Sequence, residues 1–235
     1  MSITIQYLGS AAFLITTEKG TRVLIDPDIP DPKQVGKVDL ILITHAAADH
    51  LGFAFDIAKD SDATMVGGSE IRLLAEKNGI RHEKFHNVTW GVVRQEGGIS
   101  VKAVEARHMS TVNRDGILLT AIPFGYIVTT EGGSRVYHMG DTAIFTDLKL
   151  FGQLYRPHVL LVPVGAAVGA FAELSPSEAA LATQWIGPEI AIPMHYQPGT
   201  GEPEAFATHV QGIAPHVQVV ILKAGQTQKF SAKRD

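Results

Sequence analysis

The sequence predicts an α/β fold in which two sheets pack face to face and helices cover the outside. Three observations lead there. The chain is strand-rich up to about residue 140 and then alternates strands with helices. Hydrophobic residues make up 45% and charged residues 19% of its 235 residues, enough apolar material for a large core. No repeat, low-complexity tract or linker divides it, so residues 1–235 read as a single domain.

The elements follow in order. Ile3–Leu8, Ala12–Thr16 and Arg22–Asp26 are short, apolar and β-branched, punctuated by Gly9 and Gly20. Asp39–Thr44 is a continuous apolar run, the pattern of a strand buried on both faces. Ala63–Gly67 reads as a strand, and Ser69–Asn78 as a helix closed by Gly79. Further strands are expected at Ile99–Glu105, Phe124–Thr129 and Arg135–Met139. Then come a helix at Ile144–Tyr155, a buried strand at Val159–Val164, and a helix announced by Ser175-Pro176-Ser177-Glu178. That tetrapeptide joins a capping box to a proline at the first helical position. Ile190–Met194, Pro203–Ile213 and Val217–Leu222 complete the chain as strand, helix and strand.

Composition excludes several function classes. The formal net charge is −4, without the basic footprint of a nucleic-acid partner. There is no cysteine, so disulfides, thiolate ligands and thiol nucleophiles are ruled out, and any metal must sit on nitrogen and oxygen. The N-terminal MSITIQYLGSAAFLI has no basic region and reads as a strand pair, not a signal peptide. The apolar stretch Gly116–Val128 is too short to span a bilayer and contains Pro123. A cytoplasmic protein without membrane or nucleic-acid partners, acting on a small molecule, is the expectation; assembly into a homo-oligomer stays open.

The histidines carry the chemical signal. His45 ends DLILITH, His108 follows VKAVEARH and His195 ends IAIPMH, while Asp141 follows VYHMG. Each thus leaves a strand, and strand exits converge at one sheet edge, where α/β proteins place ligands. Imidazole and carboxylate suit zinc, manganese or iron. The sharpest segment is Thr44–Gly52, which offers His45, Asp49 and His50 within six residues.

This segment resembles the HxHxDH motif of the metallo-β-lactamase superfamily. Leu24–Pro27 (LIDP), His108, Gly140–Thr142 (GDT), Pro163–Gly165 (PVG) and Pro193–Tyr196 (PMHY) follow in the family's order over almost the whole chain. The chain is most similar to a metal-dependent hydrolase branch that includes ascorbate-6-phosphate lactonase-like proteins. The resemblance implies a four-layer αββα sandwich and one or two divalent ions, zinc first, with manganese or iron as alternatives. It implies one ion on His45 and His108, a second on Asp49, His50 and His195, and Asp141 bridging them. Asp49 and Asp141 would be the catalytic carboxylates, Asp49 orienting a metal-activated water toward an ester, lactone or phosphoester.

One residue departs from that pattern. The family's middle histidine falls at Ala47, and a methyl group cannot coordinate an ion. Ala47 is then either natural, giving a site with one tight ion or unusual ligation, or an engineered substitution that disables the protein, and a non-catalytic, single-metal binding protein is the alternative function.

Around these residues, Asp26 reads either as a carboxylate partner of a ligating histidine or as a turn residue before Pro27. His138 is expected to face the core or flanking layer. Tyr196 and Thr142 are candidate contacts to substrate or ligands. His82, His86, His158, His209 and His216 read as surface or structural. Arg107, Arg114 and Lys102 are too dispersed to form a phosphate clamp.

Overall fold

The computed structural model describes residues 2–114, 116–165 and 173–231. Chain order begins β1 (Ile3–Gly9), β2 (Ala12–Thr16), β3 (Arg22–Ile25), β4 (Leu40–Leu42), α1 (Ala48–Leu51), α2 (Ala54–Ser61), β5 (Thr64–Gly67), α3 (Ser69–Lys77) and β6 (Phe85–Asn87). It continues with β7 (Val93–Glu96), β8 (Ile99–Glu105), β9 (Ser110–Arg114), β10 (Ile117–Ala121), β11 (Phe124–Thr129) and β12 (Arg135–His138). The last part is α4 (Leu148–Tyr155), β13 (Val159–Pro163), α5 (Pro176–Ile186), β14 (Ile190–Met194), α6 (Glu202–Ile213), β15 (Gln218–Val219) and β16 (Thr227–Phe230).

These form two seven-stranded sheets, ordered β16-β1-β2-β3-β4-β5-β6 and β15-β14-β13-β12-β11-β8-β7, with β9 and β10 as a separate hairpin. Alternation along the strands sorts side chains into layers. Ile3, Ile5, Phe13, Ile15, Tyr126, Val128, Leu161 and Ile192 fill the space between the sheets. Leu14, Leu24, Ile41 and Met65 turn outward under α2 and α3 with Ile57, Ala58 and Ile71. Tyr137, Leu160 and Val162 meet Leu148, Ala179, Ala182, Phe206 and Val210 of α4, α5 and α6. The result is the expected four-layer sandwich. Among the described residues, no helix is long and apolar enough to cross a membrane.

Topology fixes where chemistry can gather. Strands β12, β13 and β14 are mutually parallel. Both β8 and β12 run antiparallel to β11, so β8 shares their direction. The exits of all four therefore lie on one edge. The exit of β4 is drawn to that edge from the other sheet: Phe124 N–H donates to Thr44 O at 3.0 Å, and the buried Tyr126 hydroxyl donates to Ile43 O at 2.8 Å.

Local signals hold at α5. Ser175 Oγ accepts from Glu178 N–H, and the Glu178 carboxylate accepts from Ser175 N–H at 3.0 Å, completing the capping box. Several expected elements are shorter than read; the strand expected at Asp39–Thr44 keeps only Leu40–Leu42. The helix expected from Ile144 begins at Leu148, because the preceding loop is held elsewhere: Ala143 N–H donates to Arg107 O at 3.0 Å. The strand expected last, at Val217–Leu222, keeps only Gln218–Val219, and Leu222 O instead accepts from the Tyr196 hydroxyl at 3.1 Å; a further strand, Thr227–Phe230, follows it and pairs with β1.

Candidate metal centre

The six side chains singled out by the sequence converge at the common edge. They come from the exit of β4 (His45, Asp49, His50), the exit of β8 (His108), the exit of β12 (Asp141) and the exit of β14 (His195). His50 Nε2 lies 3.1 Å from Asp141 Oδ2 and 3.3 Å from His195 Nε2. His195 Nε2 is 3.3 Å from Asp49 Oδ2 and 3.4 Å from Asp141 Oδ2. The rings of His45 and His50 are 4.0 Å apart, and those of His45 and His108 5.0 Å. His108 is the most loosely placed: its Nε2 comes within 4.0 Å of Asp141 Oδ2.

Backbone geometry explains the flanking motifs. A Cβ on Gly140 would lie 2.5 Å from Phe124 O and 3.2 Å from Thr44, so only glycine lets β12 deliver Asp141 this close to the β4 exit. A Cβ on Gly165 would meet His195 O at 2.5 Å. His195 itself sits at φ +60 and Asp26 at φ +46, left-handed conformations that cost a non-glycine residue about 1–2 kcal/mol each. Strain of this kind persists where the surroundings over-determine it, as at ligand clamps.

Behind the site, buried Asp26 organises the β4 exit. Its Oδ1 accepts from Thr44 N–H at 2.8 Å, and its Oδ2 accepts from the Thr44 hydroxyl at 2.6 Å and lies 2.7 Å from His50 Nδ1. Of the two readings of Asp26, the structure supports the histidine partner. A second tie was not visible in the sequence. The buried Ser110 hydroxyl accepts from Ala46 N–H at 3.0 Å and donates to Glu70 at 2.7 Å, linking the loops that carry His45 and His108.

Other candidates are used structurally. His138 Nε2 is 2.9 Å from Ala11 O and its Nδ1 accepts from Gly140 N–H, so it braces the sheets. Thr142 accepts from Arg107 N–H and donates to Ala143 O, which spends its hydroxyl on the loop. Arg107 bonds Glu105 and stacks over Phe145, and Lys102 reaches Gly91 O. The Arg114 side chain lies outside the described residues.

The electrostatics are those of a cation site. Burial, then the neighbouring His50, pushes His45 down to about 3, so it is a neutral donor. Burial opposes charge on His50, but Asp141 and Asp26 on either side outweigh it and hold the imidazole well above its ordinary value. Asp141 is held far below the usual carboxylate range: burial resists this, and His50 and His195 overcome it. Glu173, absent from the sequence reading, also enters the site. Its Oε1 lies 3.6 Å from His195 Nδ1, and burial beside other carboxylates raises it to about 7.

A cleft of about 520 Å³ opens over these groups, lined by Ala47, Asp49, Asp141, Glu173, His195 and Glu202 among others. Three overlapping groups have donor atoms mutually within 4.8 Å: His45–His50–Asp141, Asp49–His50–His195, and Asp141–Glu173–His195. Two donors there, His45 Nε2 and Asp141 Oδ1, are buried without any hydrogen-bond partner. Unsatisfied buried donors and acceptors are costly. A divalent ion among nitrogen and oxygen ligands is what this set fits.

Comparisons with known proteins agree. The β-lactamase superfamily domain matches residues 4–195. A UPF0173 metal-dependent hydrolase from Methanopyrus kandleri is 40% identical over 233 residues, covering 95% of this chain and 98% of its own. Another from Rubrobacter xylanophilus is 37% identical over 236 residues, covering 94% of each. Among solved structures, Igni18, a metallo hydrolase from the archaeon Ignicoccus hospitalis, superposes with a TM-score of 0.83 at 28% identity, over 99% of this chain and 100% of that one. The chain belongs to the β-lactamase superfamily, with the metal-dependent hydrolases of the UPF0173 family.

Proposed function

We propose that the cleft hydrolyses an ester, lactone or phosphoester with the help of zinc, manganese or iron in place of zinc being the alternatives, held by His45, Asp49, His50, His108, Asp141 and His195. The observation that carries this reading is the pair of buried, unpartnered atoms His45 Nε2 and Asp141 Oδ1 on one cleft wall. A bound ion supplies Lewis acidity and lowers the pKa of its water to roughly 7.

The chain's own residues do the rest. Asp141 has Oδ2 within 4.0 Å of three imidazoles and Oδ1 free, as suits a carboxylate that serves two ion positions. Asp49 is half-exposed and lines the cleft, and in this reading it would orient the attacking water. Asp26 fixes the His50 ring, leaving Nε2 toward Asp141 and His195. Beyond this floor, the ionisable wall residues include Glu173 and Glu202, and among the described residues no lysine or arginine lines the cleft. That wall favours an uncharged ester or lactone over an anionic phosphoester.

The test is a panel of lactones, carboxylic esters and phosphodiesters offered to the zinc-loaded protein. Lactone or ester turnover, lost in Asp141→Asn while circular dichroism is unchanged, supports the reading. The specific observation for the alternative, a single-ion binding protein, is Ala47. No turnover in either the chain as it stands or Ala47→His would favour that alternative, whereas strong turnover gained by Ala47→His would mark a disabled hydrolase.

A further inference from the structure

We propose that Glu173 is a metal-ligating carboxylate that supplies the donor missing at Ala47. The proposal rests on the hydrolase reading of the same cleft. It starts from counting donors. Ala47 faces the cleft with a methyl group, so a position built on His45 and His108 has only Asp141 to add. The observed clusters allow another division. His45–His50–Asp141 and Asp141–Glu173–His195 share Asp141 alone. With Asp141 bridging, each position then has three protein donors, none from residue 47 and none from His108, the most loosely placed of the six. Three ligands with an open place is the composition of a reactive site.

The surroundings of Glu173 point the same way. It is buried at 8% exposure, and its carboxylate has a donor atom within 4.8 Å of one from Asp141. Two buried carboxylates that close repel each other unless one keeps a proton or a cation stands between them, and a bound ion lets both serve as ligands. No lysine or arginine among the described residues lines the cleft to supply that charge, and His195 is the imidazole beside Glu173, at 3.6 Å. Asp141 Oδ1 in the same cleft is buried and unpartnered. Glu173 lies in the connection from β13 to α5, two residues before the Ser175 cap of α5.

The experiment is a metal-binding cycle on four chains: the protein itself, Glu173→Gln, Ala47→His, and the double variant. Cobalt titration followed by visible absorption and metal analysis reads stoichiometry and affinity, and thermal unfolding of the metal-free chains checks folding. The chain itself should take up two ions. Glu173→Gln should lose one of them or hold it at least about tenfold more weakly. In the Ala47→His background the same substitution should cost less than about threefold, because the two donors substitute for each other. Equal losses in both backgrounds would overturn the proposal, as would a chain that binds ions indifferently to Glu173→Gln. A chain that binds no ion at all would overturn both the proposal and the hydrolase reading beneath it.

Discussion

His50 Nδ1 lies 2.7 Å from Oδ2 of Asp26, both fully buried, and this contact aims the opposite nitrogen of the ring at Asp141 and His195. Asp26 also receives the Thr44 hydroxyl and backbone N–H, so one carboxylate sets the ring's orientation and the path of the chain that carries it.

Asp26→Asn tests that role. Asparagine tolerates the φ of +46 at this position, so the backbone should survive. The charge opposite His50 would be gone, and zinc affinity should fall by about 10–100-fold, the usual cost of losing an outer partner of a ligating histidine. Competition with a chromophoric chelator measures it; unchanged affinity would show that Asp26 serves only the loop.

His195→Ala should strip metal from the protein, whereas His158→Ala should not. Both histidines adjoin buried strands. His195 follows β14 and reaches the cleft, while His158 precedes β13 at the opposite edge and bonds Arg135. Metal content after dialysis of the two variants checks this. Equal loss would mean that the site is not where the strands direct it.

Glu70 gives a pH-dependent prediction. Burial holds its carboxyl above the ordinary value, against the Ser110 hydrogen bond. A carboxyl raised in the folded state costs stability as pH climbs through the unfolded value of about 4.3 toward the folded one. Glu70→Gln can still accept from Ser110 but has no charge to bury. Its Tm relative to the parent should therefore rise between pH 4 and pH 8, by a few degrees. A relative Tm that falls over that interval would contradict the burial argument.

How far the sequence reached can be judged residue by residue. His45, His108, Asp141 and His195 were legible as strand-end residues, but the joining of the β4 exit that carries His45 to the exits at the edge of the other sheet is a tertiary matter. The capping box at Ser175 was legible because its signal is local. Glu173 lies in the exit of β13, which shares that edge, but no local motif marks it. Ser110 and Glu70 meet across 40 positions of sequence, so only the fold brings them together. The β9–β10 hairpin was missed because β9 (STVNR) is mostly polar and the apolar Ile117 and Leu118 of β10 are 64% and 66% exposed, so burial never imposed an alternating pattern. The Ile144 start of the α4 helix failed for a tertiary reason, the bond from Ala143 to Arg107 that holds the loop open.

The central claim is that one metal-binding cleft is built around Asp141. Metal analysis of the purified chain, loaded with zinc and then dialysed, tests it most directly when run beside Asp141→Asn. That substitution keeps the shape of the side chain and removes the charge that His50 and His195 face. The account predicts at least one tightly held ion per chain in the parent, and loss of most of that metal in the variant with its fold intact by circular dichroism. Equal zinc content in the two chains, or none in the parent, would contradict it.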